Sequence, residues 1–155
     1  MKYKILTLFL LPFLMGAGCQ KDEEILEELE FVPIVIQKFA DFGCEHQSWK
    51  IKAGYANDYY IINSAEDLNK YIEYECKPDI DFSKYIVILG NKGFSTGTSL
   101  VSEKVEENNV ELVYTLTFSK GFSMDAPSVK YHIVIPIPYN KDIKLVEVIE
   151  QKEVN

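Results

Sequence analysis

The run Tyr85-Ile86-Val87-Ile88-Leu89-Gly90 is a continuous apolar stretch that ends at a glycine. A strand with one solvated face alternates apolar and polar residues, and this run shows no such alternation. We therefore expect residues 85–89 to form a central strand that is buried on both faces.

Alternating stretches on both sides of this run predict further strands. In residues 129–138, Tyr131, Ile133 and Ile135 share the inward parity, so His132 is expected at the surface. Short turns between consecutive strands imply a mostly antiparallel sheet. The other predicted strands cover residues 31–39, 48–53, 59–62, 98–105, 110–119 and 143–149.

One substantial helix is predicted over residues 64–76. Ser64 can cap its start, and Asp67 three residues later suits the first turn. Pro78 stops the helix. Such a helix packed on a mostly antiparallel sheet defines an α+β fold in two layers. The buried stripe of the helix is expected to contain Leu68, Ile72 and Cys76.

The first 18 residues have the pattern of an export signal. Lys2 and Lys4 precede the apolar residues 5–15, which are too few to span a bilayer. Small residues 16–18 then precede Cys19. This pattern resembles the lipobox of bacterial lipoproteins, although that family usually has leucine at the position of Gly16. The resemblance implies acylation of Cys19, such as by palmitate. The alternatives are an ordinary secretory signal followed by an unrelated cysteine and a retained apolar N-terminus.

The residues after this cysteine, Gln20-Lys21-Asp22-Glu23-Glu24, form a charged run. The run resembles the export tag of some Gram-negative surface lipoproteins. That resemblance implies a cell-envelope protein, lipid-anchored in the outer membrane and exposed at the cell surface. The alternative is a domain that faces the periplasm. We expect residues 19–30 to form an acidic tether.

Removal of residues 1–18 leaves 137 of the 155 residues, enough for one domain. Because two lysines leave with the signal, the formal net charge falls from −8 to −10. An acidic chain argues against nucleic acid and anionic membrane surfaces as partners. The membrane is therefore reached through the lipid. We place the single domain at residues 31–150 and a tail at residues 151–155.

Cys44 and Cys76 form an even pair once Cys19 is assigned to the lipid. Exported proteins meet oxidising conditions, which favours a disulfide between the two. Two buried free thiols are the alternative. The only histidines, His46 and His132, give these cysteines no recognisable metal-ligand spacing, so we predict no metal site and no cofactor.

The stretch from Asp81 to Val148 resembles the C-terminal domain of the protease-complex subunit PrcB. The residues that carry the resemblance are 85–90, the polar loop 92–97, and 131–136. In that family a Pro-Thr-Gly-Gly-Tyr-like loop follows the apolar strand, and this chain lacks the proline and the tyrosine. The resemblance implies an accessory or stabilising activity without catalysis. The candidate binding loop in this chain contains Phe94, Ser95, Thr96 and Thr98.

No catalytic motif surrounds the polar residues that could carry one. His46 and Ser48 lie close together in the sequence, without the rigid turn and oxyanion hole that a serine nucleophile needs. Asp79 and Asp81 flank Ile80, and an Asp-x-Asp pair before a strand is usually a turn. We therefore expect no enzymatic activity.

Three functions remain in competition. The first is a lipid-anchored, non-enzymatic module that binds or stabilises another envelope protein. The second is a surface glycan-binding module, suggested by Trp49 and the cluster of Tyr55, Tyr59 and Tyr60, although we expect these rings in the core. The third is a small hydrolase. An exposed aromatic row favours the glycan, a long exposed apolar edge favours the protein, and a cleft with perturbed acids favours the hydrolase.

Overall fold

The computed structural model describes residues 30–45, 49–53, 59–121 and 128–151. The predicted signal, Cys19 and nearly all of the predicted tether lie outside these residues, as does the tail from residue 152. The described elements are β1 (Val32–Pro33), a 3-10 helix (Phe39–Phe42), β2 (Trp49–Ile51), β3 (Tyr59–Ile62), α1 (Ala65–Tyr71), β4 (Ile72–Tyr74), β5 (Tyr85–Gly93), β6 (Thr98–Glu107), β7 (Glu111–Lys120), β8 (Ser128–Pro136) and β9 (Asp142–Gln151).

The described strands form three sheets. One sheet has the order β1-β6-β7-β9, the second β3-β5-β8, and the third β2-β4. Neighbouring strands are antiparallel except for β7 and β9, which run parallel. A mostly antiparallel β structure with a helix confirms the predicted α+β class, but the helix has only seven residues and is not substantial.

The central pair β5·β8 is covered on both faces, as the apolar run of β5 predicts. On one face Ile88 and Ile133 pack against β7 of the four-stranded sheet. On the other face Leu89 and Val134 pack against α1, β2 and β4. The molecule therefore has three layers rather than the expected two, because the middle sheet has no solvent face. Two apolar cores lie on either side of it.

A glycine is required where the two central strands cross the ring of Tyr131. Gly90 pairs with Tyr131 in the register of β5 and β8. A Cβ added to Gly90 would lie 2.3 Å from the Tyr131 hydroxyl oxygen and 2.4 Å from ring atom Cζ. The tyrosine thus occupies the volume that a side chain at residue 90 would need.

The predicted helix begins where expected but ends early. The Ser64 hydroxyl accepts a hydrogen bond from the Asp67 amide at 3.1 Å, as the capping pattern predicts. The end at residue 76 is wrong, because Ile72 already has extended backbone angles of −122° and 152°. Residues 72–74 form β4 instead and pair with β2, in which Ile51 lies opposite Ile72.

The predicted disulfide is present. The Sγ atoms of Cys44 and Cys76 lie 2.02 Å apart, and their Cα atoms are 5.6 Å apart. Cys44 follows the 3-10 helix and Cys76 follows β4, so the bond joins two segments that pack against the central sheet. It fixes this layer rather than the end of a helix.

One lateral side of the two large sheets is closed by the chain that follows β1. The Ile34 amide donates to the Val105 carbonyl of β6 at 2.8 Å. Three residues later, Gln37 and Val134 of β8 exchange two backbone hydrogen bonds of 3.1 Å and 2.9 Å. This segment therefore ties β6 of one sheet to β8 of the other. We call it the closed side.

A half-buried ion pair reinforces the closed side. The Lys38 ammonium donates to the Glu103 carboxylate of β6 and to the His132 carbonyl of β8, both at 2.5 Å. The other oxygen of Glu103 accepts from the buried Tyr114 hydroxyl at 2.5 Å. Burial and the Glu103 carboxylate raise the pKa of Tyr114 far above its usual value, so its hydroxyl remains a donor.

Candidate functional site: the open side of the sandwich

The side opposite the closed side is formed by β3 and β9. Segment 34–38 joins β6 to β8, so β3 and β9, the strands at the other ends of their sheets, share the remaining side. Among the described residues, no strand pairs with the outer edge of β3 or of β9. Within the part of the chain that the structure describes, both large sheets therefore end in an unpaired edge at this side.

Apolar side chains of both strands face the space between the sheets at this side, yet they remain exposed. Tyr59 and Ile61 lie opposite Gly90 and Ile88, on the face that packs against β7. Ile149 of β9 lies opposite the buried Phe118. The exposed fractions are 37% for Tyr59, 45% for Ile61 and 54% for Ile149.

The outward face of β9 adds more apolar surface. Val146 and Val148 point away from the core, opposite Thr115 and Thr117 of β7, and are 40% and 39% exposed. Between them, Glu147 has the inward parity and forms a 2.7 Å ion pair with Lys92 of β5. We define the open side by five residues: Tyr59, Ile61, Val146, Val148 and Ile149.

The strand β9 has one feature that protects natural edges, the inward-pointing charge of Glu147, but it is long and has neither a bulge nor a proline in its pairing with β7. Natural edges are short, bulged, or broken by proline and lysine. β1, at the opposite edge of the same sheet, is two residues long and includes Pro33. By contrast, all ten residues of β9 pair with β7 in one continuous register. Its one lysine, Lys144, is near the start and forms an ion pair with Glu111.

The predicted binding loop lies at one end of the sheets and is largely engaged within the domain. Phe94 packs against Phe118, with ring centres 4.9 Å apart. The Thr98 hydroxyl donates to the Thr96 carbonyl at 2.9 Å. The Thr96 hydroxyl oxygen is buried without a described partner, and Ser95 is the exposed member. The structure therefore brings these four residues together as a tight turn that covers one end of the core.

His132 is buried, so its predicted surface position is wrong. Its ring packs against Phe39 and Trp49, with centres 4.1 Å and 5.3 Å apart. Its Nε2 accepts a hydrogen bond from the Phe39 amide at 3.2 Å. The outer parity of β8 faces a second core rather than water. Burial, with the charges of Lys38 and Lys130, lowers the pKa of His132 to about 3.

The other candidate groups have structural roles or lie outside the described residues. His46 and Ser48 belong to the latter set. Asp81 forms the predicted turn: it accepts from the Ser83 hydroxyl at 2.6 Å and pairs with Lys84 at 3.0 Å. The Ser83 hydrogen bonds and the Lys84 contact lower the pKa of Asp81 to about 2. This carboxylate is therefore ionised and held by Ser83 and Lys84, so it is not suited to donate a proton as a general acid.

A polar hollow of about 310 Å³ opens at the end of the central sheet. The Lys130 ammonium donates to the Trp49 carbonyl at 2.7 Å and lies 5.2 Å from the centre of its ring. Asn91 Oδ1 is buried there without a described partner. The described lining contains neither a carboxylate nor a histidine to act as a base. That lining consists of Lys50, Ile51, Asn91, Ser128 and Lys130.

None of the protein-family models, curated proteins or solved structures compared with the chain matches it. The resemblance to the PrcB domain therefore stays a prediction, and the functional argument depends on the geometry. Within the described ranges, no helix is long and apolar enough to cross a membrane. The same residues contain no group of three side chains that could hold a metal ion.

The burial of His132 predicts a loss of stability in mild acid. The unfolded chain takes up a proton near pH 6.5, whereas the folded chain resists it down to about pH 3. Stability should therefore fall by about 1.4 kcal/mol for each pH unit between these limits. Denaturant unfolding at pH 7.0 and 5.5 measures this loss, with His132→Gln as the control because glutamine keeps an acceptor. The native protein should lose about 1 kcal/mol more than the variant; equal losses would contradict the assignment.

Proposed function

We propose that this protein is a lipid-anchored, non-enzymatic module of the bacterial cell envelope. It binds another envelope protein through its open side and has an accessory or stabilising role. The observation that supports this most is β9, a ten-residue edge strand without a bulge or a proline in its register with β7. Long unpaired edges with apolar side chains are templates for a strand of another chain.

Addition of a partner strand would use both the backbone groups and the apolar side chains of the open side. A partner strand that pairs with β9 would satisfy the outward N–H and C=O groups of its backbone, which supplies affinity. Its alternate side chains would meet apolar groups on both faces, which supplies specificity. Val146 and Val148 lie on the outer face, and Ile149 lies on the face toward β3.

The lipid anchor adds to this mode of binding. Attachment of Cys19 to the membrane confines the domain beside other envelope proteins, and the acidic tether sets its reach. Tethering raises the effective concentration of a partner in the same membrane, so a modest interface is sufficient. A single acyl chain anchors a protein only marginally, so several chains are needed at Cys19.

The glycan-binding alternative has less support from the geometry. Trp49 is only 4% exposed, because its ring packs in the core beside Phe39 and His132. Tyr60 stacks on Tyr71 with ring centres 4.4 Å apart. Sugar-binding platforms need exposed rings in a row, and the described residues place Trp49 and Tyr60 within the packing instead. A hydrolase has still less support, since His132 and Asp81 are both committed to structural contacts.

A lysine on the outer face of β9 should abolish recovery of the partner. In Val148→Lys a charge replaces an apolar contact of the open side, while the exposed side chain leaves the fold intact. The matched control is Val110→Lys, at an exposed valine outside the open side. The measurement is quantitative mass spectrometry of envelope proteins that co-purify with the full chain after cross-linking in intact cells. We expect loss with Val148→Lys only; recovery of the same proteins with both variants would contradict the proposal.

Lipidation is tested independently of binding. Cells that express the native chain or Cys19→Ala are given a labelled fatty acid, and the purified chains are compared. We expect the label only in the native chain, because acylation needs the cysteine thiol. Equal label in both chains would refute the anchor without bearing on the open side.

A further inference from the structure

The sequence of β9 is complementary to itself when read in the opposite direction. From residue 144 to residue 150 it reads Lys-Leu-Val-Glu-Val-Ile-Glu, with Glu147 at the centre. We infer that the strand added at the open side is β9 of a second copy of this chain, which makes the module a symmetric dimer. This inference rests on the strand addition proposed for the open side and names the added strand, so a further envelope protein would bind the joined outer faces instead of the β9 edge.

Symmetry restricts how two such strands can meet. Two identical edges pair antiparallel around a two-fold axis perpendicular to the sheet, so each face meets the same face of the other copy. A residue of one copy and the residue opposite it in the second copy lie on the same face, so both numbers are even or both are odd. Their sum is the same even number for every pair along the strand. The axis therefore passes through a residue, and each choice of that residue defines one register.

An axis through Glu147 gives favourable pairs on the outer face. Lys144 then lies opposite Glu150 of the second copy, and Val146 lies opposite its Val148. Opposite charges and β-branched residues are both stabilising as directly facing cross-strand pairs. Glu150 forms no ion pair with a described residue of its own chain. Each of the four outer positions from residue 144 to residue 150 therefore gains a suitable partner.

Neighbouring registers lack this match. An axis through Val146 would place Asp142 opposite Glu150, which is a repulsive pair. An axis through Val148 would place Val146 opposite Glu150, and an axis through Leu145 would place Lys144 opposite Val146. On the outer face, each alternative places a charge opposite an apolar or like-charged residue, which the axis through Glu147 avoids. The charge pattern thus selects Glu147.

On the inner face, this register adds an apolar pair and brings two carboxylates opposite each other. Leu145 lies opposite Ile149 of the second copy, which covers an isoleucine that is otherwise 54% exposed. The two copies of Glu147 face each other, but each carboxylate is already paired with Lys92 of its own chain at 2.7 Å. Tyr59 and Ile61 of β3 lie on the same side of the molecule and point toward this face. The second copy would thus cover apolar surface of both edge strands.

The pair would form one sheet that runs from β1 of one copy to β1 of the other. The two β9 edges pair with each other, and the short edges with Pro33 become the ends of the sheet. Because the axis is perpendicular to the sheet, the outer faces of both copies form one continuous surface. That surface stays available to a further envelope protein.

Disulfide trapping of the full chain tests the register directly. In Glu147→Cys the two thiols face each other across the axis, at a Cα distance of about 4.5–5.5 Å that suits a disulfide. In Val148→Cys the matching residues are diagonal, at about 7–8 Å, beyond easy bridging. Thr115→Cys on β7 and the parent chain are controls for non-specific links and for links through Cys19. We expect covalent dimers, on non-reducing gels after export, with Glu147→Cys alone.

Charge reversal tests the same pairing without a covalent bond. Lys144→Glu and Glu150→Lys each create two repulsive pairs in the dimer, and the double variant restores two attractive pairs. Sedimentation of the full chain in detergent should give dissociation constants about tenfold weaker for each single variant. The double variant should recover to about the native value. Thermal melting of all four proteins separates this effect from unfolding.

The outcomes separate this inference from the proposed function. Dimers trapped at residue 147 and rescue by the double variant support the second copy. A chain that sediments as a monomer, or that links equally at residues 147 and 148, overturns it. If that monomer still loses an envelope partner in Val148→Lys, the proposed function stands and only the identity of the partner is wrong. If the Val148→Lys chain also keeps every partner, both proposals fail.

Discussion

The central pair β5·β8 has no solvent face, and the other layers of the molecule depend on this constraint. Each strand alternates between two cores: Ile86 and Ile88 face the four-stranded sheet, whereas Val87 and Leu89 face the helix layer. Neither outer layer has a second apolar partner among the described elements. Each side therefore loses its core if the middle sheet is lost. Gly90 belongs to the same constraint, because it leaves room for the Tyr131 ring.

The closed side and the open side of the sheets differ in their contacts. At the closed side, the Lys38 ammonium links Glu103 of β6 to the His132 carbonyl of β8, and the backbone at Gln37 pairs with Val134. At the open side no comparable segment is described, and apolar residues of β3 and β9 remain exposed. The backbone hydrogen bonds and the half-buried Lys38–Glu103 pair together fix the closed side. This asymmetry is why we locate binding at β9.

Local sequence signals predicted some parts of this structure and missed others. The unbroken run of β5, the Ser64 cap and the cysteine pair were predictable, because each depends on a short stretch or on simple counting. The helix end was missed because the spacing of Leu68, Ile72 and Cys76 fits a helix, while the alternation from Ile72 onward fits a strand. Pairing with β2, a distant segment, decides in favour of the strand.

The remaining errors have the same origin in contacts that are distant in sequence. His132 has the outer parity of β8, and the sequence does not say that a second core covers that face. The last strand was predicted at residues 143–149, but its parallel pairing with β7 and its position at an edge were not predicted. The candidate site has no sequence motif, because it is a strand edge whose backbone groups are left unpaired by the described strands. The alternation of Val146 and Val148 was the sequence feature that could have indicated an exposed apolar strand here.

Native-state hydrogen exchange tests most directly whether the shared middle sheet makes the two cores one unit. The slowest amides of β5 and β8, of β7 in one outer layer and of α1 and β4 in the other should be compared across denaturant concentrations. Slow amides that open only by global unfolding share one free energy. We predict that the slowest amides of β5, β7 and β8 share this value and that those of the helix layer converge on it. Protection of β7 that persists after β8 has exchanged would contradict the account, because the four-stranded sheet would then be stable without the middle sheet.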